Sequence, residues 1–129
     1  MKALKENKNT VYVVNNGGHD FSAAERFGRI VYLSDGLMNK YSINVMYRMF
    51  SAKLRNSRPT DYILCTSLTQ MNMVAAGIFS VLHGRLNVLI YKDNDYVART
   101  VDYSGLRQQT TSDEEVLFEL YGNQESHKE

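Results

Sequence analysis

Short apolar runs bounded by turn residues alternate along this chain with stretches of helical period. Thr10-Val11-Tyr12-Val13-Val14 is β-branched and aromatic and stops at Asn15-Asn16-Gly17-Gly18, as a strand buried on both faces does. Asp20 is placed to cap a helix over Phe21–Phe27, with Gly28 closing it in the left-handed conformation. Arg29-Ile30-Val31-Tyr32-Leu33 forms a second strand, ended by Ser34-Asp35-Gly36. From Ser42 to Arg55 the period turns helical, and Ile43, Met46, Tyr47, Phe50 and Leu54 make one apolar stripe. Lys53, Arg55 and Arg58 suit the negative end of that helix, and Pro59 prevents its continuation.

A third strand is expected over Asp61–Thr66. Ser67 or Thr69 then caps a helix from Gln70 to His83, stopped by Gly84. Met71, Met73, Val74, Ala75, Ala76, Ile78, Phe79, Val81 and Leu82 leave that helix almost no polar face, so burial on most sides is expected. Leu86–Tyr91 reads as a fourth strand and Lys92-Asp93-Asn94-Asp95 as a hairpin turn. The fifth strand, Tyr96–Tyr103, alternates more and suits an antiparallel edge. After a polar linker, Ser112-Asp113-Glu114-Glu115 is a capping box opening a short helix with Val116, Leu117, Leu120 and Tyr121, closed by Gly122.

This order predicts one α/β domain over residues 10–122, between a flexible arm (1–9) and a loose tail (123–129). The expected architecture is a Rossmann-like, mostly parallel sheet of flavodoxin-like strand order 2-1-3-4, with the fifth strand antiparallel to the fourth. An α+β arrangement stays open, because only three helices are available for two faces. The 129 residues, 43% hydrophobic and 22% charged, suit a single globular domain. Fifteen basic against fourteen acidic residues, a formal charge of +1, give no drive toward nucleic acid or anionic membranes. One cysteine excludes an internal disulfide and any multi-cysteine zinc pattern within one chain. With neither a signal-peptide pattern nor a transmembrane-length apolar run, a cytoplasmic protein is expected.

Ligands of open α/β sheets bind beyond the strand carboxyl ends where the strand order reverses. Here that point lies between the first and third strands. Asn15-Asn16-Gly17-Gly18-His19-Asp20 and Thr66-Ser67-Leu68-Thr69 meet there, with Ser34 and Asp35 close by. Glycine permits close backbone approach, and two helix starts offer unpaired amides to an anion or nucleotide-like small molecule. Neither loop holds Lys or Arg, so the donors expected are the backbone amides of Gly17, Gly18, Ser67, Leu68 and Thr69, with the Thr66, Ser67 and Thr69 hydroxyls adding direction. No dinucleotide or P-loop fingerprint is present, and no cofactor is named.

His19 has the titration range of a general acid or base, with Asp20 or Asp35 to orient it, but no second catalytic group converges on it. Cys65 is expected to be a buried, inert thiol. His83 is expected to sit partly charged at a helix end. His19, Asp20 and Asp35 lack ligand spacing, so no metal site is assigned. The nine tyrosines fall mainly on strands and the helical stripe, which disfavours a base-stacking surface. No catalytic residue is assigned, and the reading favours a protein that is not an enzyme.

Taken together, the segments Val11–Asp20, Tyr62–Thr69 and His83–Tyr91 resemble small, functionally unassigned Rossmann-like proteins encoded by tailed bacteriophages. The resemblance spans Thr10 to Tyr103 and implies a host-cytoplasmic or virion setting without a specific activity. Two functions follow as expectations. One is a small-ligand-binding module acting at the strand rim. The other is a non-catalytic phage accessory or virion component acting through self-association, with a homo-oligomer held by the Met-rich helix or by the fifth strand.

Overall fold

The computed structural model describes residues 9–106 and 119–121. Strands β1 (Thr10–Val13), β2 (Arg29–Tyr32), β3 (Tyr62–Leu64), β4 (Arg85–Lys92) and β5 (Asp95–Asp102) form one sheet in the order β2-β1-β3-β4-β5. The first four are parallel, and β4 and β5 pair antiparallel. That is the expected order, in a mixed α/β architecture. β1 lies between two partners and is buried along its whole length, which is why its sequence is apolar without alternation. The β4–β5 turn places Asp93 and Asn94 at φ of 54° and 66°, the geometry that matches the twist of a two-residue hairpin. Residues 1–8 of the arm, the tail and most of the capping-box helix lie outside the described residues; Glu119–Tyr121 are helical.

Two apolar layers sandwich the sheet. On one face, helix α1 (Ile43–Leu54) supplies Met46, Phe50 and Leu54, and helix α2 (Thr69–His83) supplies Met71, Ala75 and Phe79. They close over Tyr12, Val14, Leu33 and Ile63. The opposite layer gathers Val11, Val13, Leu64, Leu89 and Tyr96 around Ala24. Its only helical cover among the described residues is the short segment Ser22–Phe27.

Several local expectations are corrected. Ser22–Phe27 is a 3-10 helix, not a full α-helix. Six residues give few α-type bonds, and its chain must turn at once into β2. Gly28 is extended (φ 158°, ψ 173°), not left-handed. Its glycine has another reason: a Cβ there would stand 2.5 Å from the Asn9 carbonyl oxygen. α2 buries only the row Met71, Ala75 and Phe79, because the sheet covers one side and α1 flanks another. Its outer row faces solvent. Ile43 and Tyr47 are also exposed on α1.

The helix ends differ too. Neither Ser67 nor Thr69 caps α2 through its side chain. Thr66 and Asn72 do that work reciprocally: Leu68 N–H donates to Thr66 Oγ1 at 3.0 Å, and Asn72 Nδ2 donates to the Thr66 carbonyl at 2.8 Å. Gly84 closes α2 in the left-handed conformation as expected (φ 69°). His83 stands in the last turn of α2. Its Nε2 lies 2.8 Å from Ser57 Oγ and its ring packs edge-on against Phe79. Partial burial pushes its pKa down, against a smaller upward pull from Asp61, so the neutral ring is favoured.

At the amino ends of the parallel strands lies a polar node that the sequence pattern hides. Asp61 is 1% exposed. Its Oδ1 accepts the Thr10 N–H at 2.9 Å, and its Oδ2 accepts the Arg58 N–H at 2.7 Å. Asn87, also buried, donates to the Pro59 and Asp61 carbonyls at 2.7 Å each and accepts from Thr100 Oγ1. The node links β1, the segment leading into β3, β4 and β5.

Candidate functional site

The reversal of strand order falls between β1 and β3, so the expected rim exists. The loop after β1 is stitched to the loop after β2. Asn16 N–H donates to the Ser34 carbonyl at 2.9 Å, and Gly36 N–H donates to the Asn16 carbonyl at 3.2 Å. Asn15 Nδ2 donates to the Gly36 carbonyl, and the buried Ser34 hydroxyl lies 2.7 Å from the Val14 carbonyl and 2.8 Å from Asn15 Oδ1. These contacts extend β1–β2 pairing past the strands. Asn15 and Ser34 thereby spend their side-chain groups on the loop itself, while Asn16 commits its backbone and is exposed.

Gly17, Gly18, His19, Asp20 and Asp35 are exposed. Asp20 Oδ1 accepts the Ser22 N–H at 2.9 Å, and that bond holds its carboxyl below the usual range. It is an acceptor tied to the backbone, not an orienting partner of His19. The His19 ring instead lies tilted near Phe21, with centroids 6.2 Å apart.

Across the rim, Thr66 is engaged with Asn72, while Ser67, Leu68 and Thr69 line a cavity of about 260 Å³ with Gln70, Met71 and Lys40. Gly17 and Gly18 do not line it. The structure therefore separates the expected site into an open β1 loop and a small pocket at the start of α2. Lys40 is the residue that the sequence reading missed. It sits 26 positions before Thr66 in the chain, on the loop leading into α1, and only the α1–α2 packing carries it to the rim. Cys65 is exposed, which overturns the expected burial. It follows the last residue of β3, and its N–H still donates to the Leu89 carbonyl while its thiol has left the core. Among the described residues no cluster of His, Cys, Asp and Glu is placed to hold a metal. No described helix is long and apolar enough to cross a membrane.

A larger concavity lies away from the rim. It is a groove of about 630 Å³ between α1 and α2, bordered by Ile43, Tyr47, Met73, Ile78, Val81 and Leu82. Its surroundings are the most exposed apolar surface of the helical layer: Ile43 44%, Tyr47 54%, Met73 69%, Val81 87% and Leu82 46%. A second groove, of about 670 Å³, shares Gly77 and Val81 and continues toward Tyr103 and Leu106. Asn44, Ser51 and Arg55 are the polar members of a mostly apolar lining, and the open shape suits a protein surface better than a small polar ligand.

Residues 7–103 match the family model of the phage Pam3 gp32-like protein. The chain belongs to that family. The matched span holds all five strands and both helices, so the rim, the cavity beside Lys40 and the α1–α2 groove all lie within it. Family membership makes this a phage protein and brings no reaction with it. No curated protein and no solved structure matches the chain significantly.

Proposed function

We propose that this phage protein is a non-enzymatic interaction module of Rossmann-like fold, working through the outer face of α1 and α2. The Rossmann-like reading is supported by the β2-β1-β3-β4 parallel order with helical cover on both faces. The interaction reading rests on one observation, the exposed apolar border of the α1–α2 groove. The five fractions given above amount to about three fully exposed large side chains, or roughly 600 Å² at about 200 Å² each. That is at the upper end of the largest patch on an ordinary monomer, and such patches mark contact surfaces. Hydrophobic-dye fluorescence and sedimentation, measured on wild type and Val81→Glu, test it. A covered face changes the sedimenting species in the variant, and an open one loses dye fluorescence. A variant that moves neither measurement refutes the reading.

A second reading is a small anionic or nucleotide-like ligand at the strand rim. Lys40 beside the first amides of α2 favours it, since a cation and a helix start both attract negative charge. On this reading Asn15 to Asp20, Ser34 and Asp35 border the ligand and Ser67 to Thr69 bind it. Calorimetry against a nucleotide and sugar panel separates the two halves of the rim. Binding weakened severalfold by Lys40→Ala and not by Gly18→Val places the ligand at the α2 end. The reverse places it on the β1 loop, and no heat from any panel member refutes the reading.

A further inference from the structure

Resting on the interaction reading above, we propose that the partner of this face is a second copy of the chain, packed with α2 antiparallel to its counterpart about a two-fold axis near Gly77. Met73, Gly77 and Val81 fall at successive four-residue steps and form the outward row of α2. Met73 and Val81 are the most exposed apolar residues of that helix and stand equally far from Gly77 along it. A two-fold axis at Gly77 therefore sets Met73 of each copy against Val81 of the partner subunit. The row is complementary to itself, as an isologous interface requires.

Charge narrows the choice of occupant. Thr69–His83 contains no Asp, Glu, Lys or Arg. Arg55 lines the groove from the α1 side, but along the α2 row itself a charged partner meets no charge, whereas an identical uncharged row meets no repulsion, and antiparallel helix dipoles attract. The exposed area agrees. The roughly 600 Å² estimated for the five large side chains approaches the ~800 Å² per partner of a standard interface, before the flanking atoms of Ala76, Gly77 and Ile78 are counted. Gly77 fits the same picture. A helix-interior glycine costs about 1 kcal/mol relative to alanine. Among the described residues nothing within 4 Å would meet a Cβ at this position, and its φ is not positive, so their packing does not call for glycine there, whereas close approach of a second helix would. The edge strand β5 carries Arg99 and Asp102, besides Asp95 paired with Arg26, charges that discourage edge-to-edge pairing.

The test is sedimentation of the full chain over a concentration series, for wild type, Met73→Glu, Val81→Lys and the double variant, with circular dichroism checking the fold. Wild type is expected to sediment as a dimer. Each single variant should weaken dimerisation about a hundredfold or more, because every dimer then buries two unpaired charges. In the double variant each introduced acid faces an introduced base across the axis, and most of the loss should be recovered. Failure of the double variant to recover overturns the antiparallel pairing, and a dimer indifferent to all substitutions overturns the use of this face. A monomeric wild type overturns the second copy as partner. If its dye fluorescence still falls in Val81→Lys, the interaction face survives with another occupant; if the fluorescence does not fall, both readings are overturned.

Discussion

Replacing Asp61 by alanine probes the node at the amino ends of the strands. The carboxylate is buried and accepts two backbone N–H groups, from Thr10 and Arg58. The Thr10 amide is itself buried, so losing its acceptor leaves a desolvated donor at a cost of about 1–3 kcal/mol. The Arg58 amide is partly exposed, and water replaces its partner at a cost of about 1 kcal/mol. Asp61→Ala should therefore destabilise by about 2–4 kcal/mol, a large share of the ~5–15 kcal/mol typical of a domain. For a chain of this size that lowers the melting midpoint by about 8–15 °C. Asp61→Asn should fall between, since the amide keeps one acceptor and turns an N–H₂ toward the other donor. Thermal and urea melts of both variants measure this, with Asp102→Ala as the control. Asp102 is an exposed carboxylate accepting the Ser104 N–H, and its loss should barely move the midpoint. An Asp61→Ala midpoint within about 2 °C of wild type would refute the argument that this node carries unsatisfiable amides.

Gly28→Ala should destabilise by about 2 kcal/mol or more, because the new Cβ meets the Asn9 carbonyl oxygen and carbon at 2.5 and 2.7 Å; denaturant melts check it, and a neutral effect would show that the arm before β1 yields freely. The lowered pKa of His83 means the folded state prefers the neutral ring, so its contribution to stability is present above about pH 6.5 and is lost as the pH falls below that value. Melting midpoints over that range should drop less steeply in His83→Gln than in wild type, and equal slopes would remove His83 as the cause. The exposed Cys65 thiol should react with a disulfide reagent in the native protein to one equivalent without denaturant; a thiol titratable only after unfolding would contradict its position.

The strand order was legible because each segment carried its own signal: an unalternating apolar run in β1, a Gly-Gly turn after it, Pro59 after α1, and Asp93-Asn94 between β4 and β5. What the pattern missed depended on contacts distant in sequence. The α2 sequence is apolar all round, but periodicity cannot say how many neighbours a helix has, and only the row Met71, Ala75 and Phe79 found cover. Asp61 reads as a turn residue before a strand. Its burial follows from Thr10, 51 positions earlier, needing an acceptor there. Cys65 follows β3 directly, and one residue beyond a strand's end decides between core and solvent. At the rim the loop residues were legible and their mutual bonding was not. Asn15 and Ser34 have the composition of a ligand loop and use it to bind each other.

β1 has a consequence for how the chain comes to fold. It lies in the middle of the sheet, yet it precedes both of its neighbours in the sequence: its β2 partners come 19 residues later and its β3 partners 51 later. During synthesis this apolar strand must wait for both edges of its slot, whereas β4 and β5 can close as a local hairpin as soon as they emerge. A ribosome paused before β3 would present Val11 and Tyr12 without their β3 partners. Production of this protein is therefore expected to be more sensitive to stalling between residues 33 and 61 than to stalling anywhere after β4 has been made.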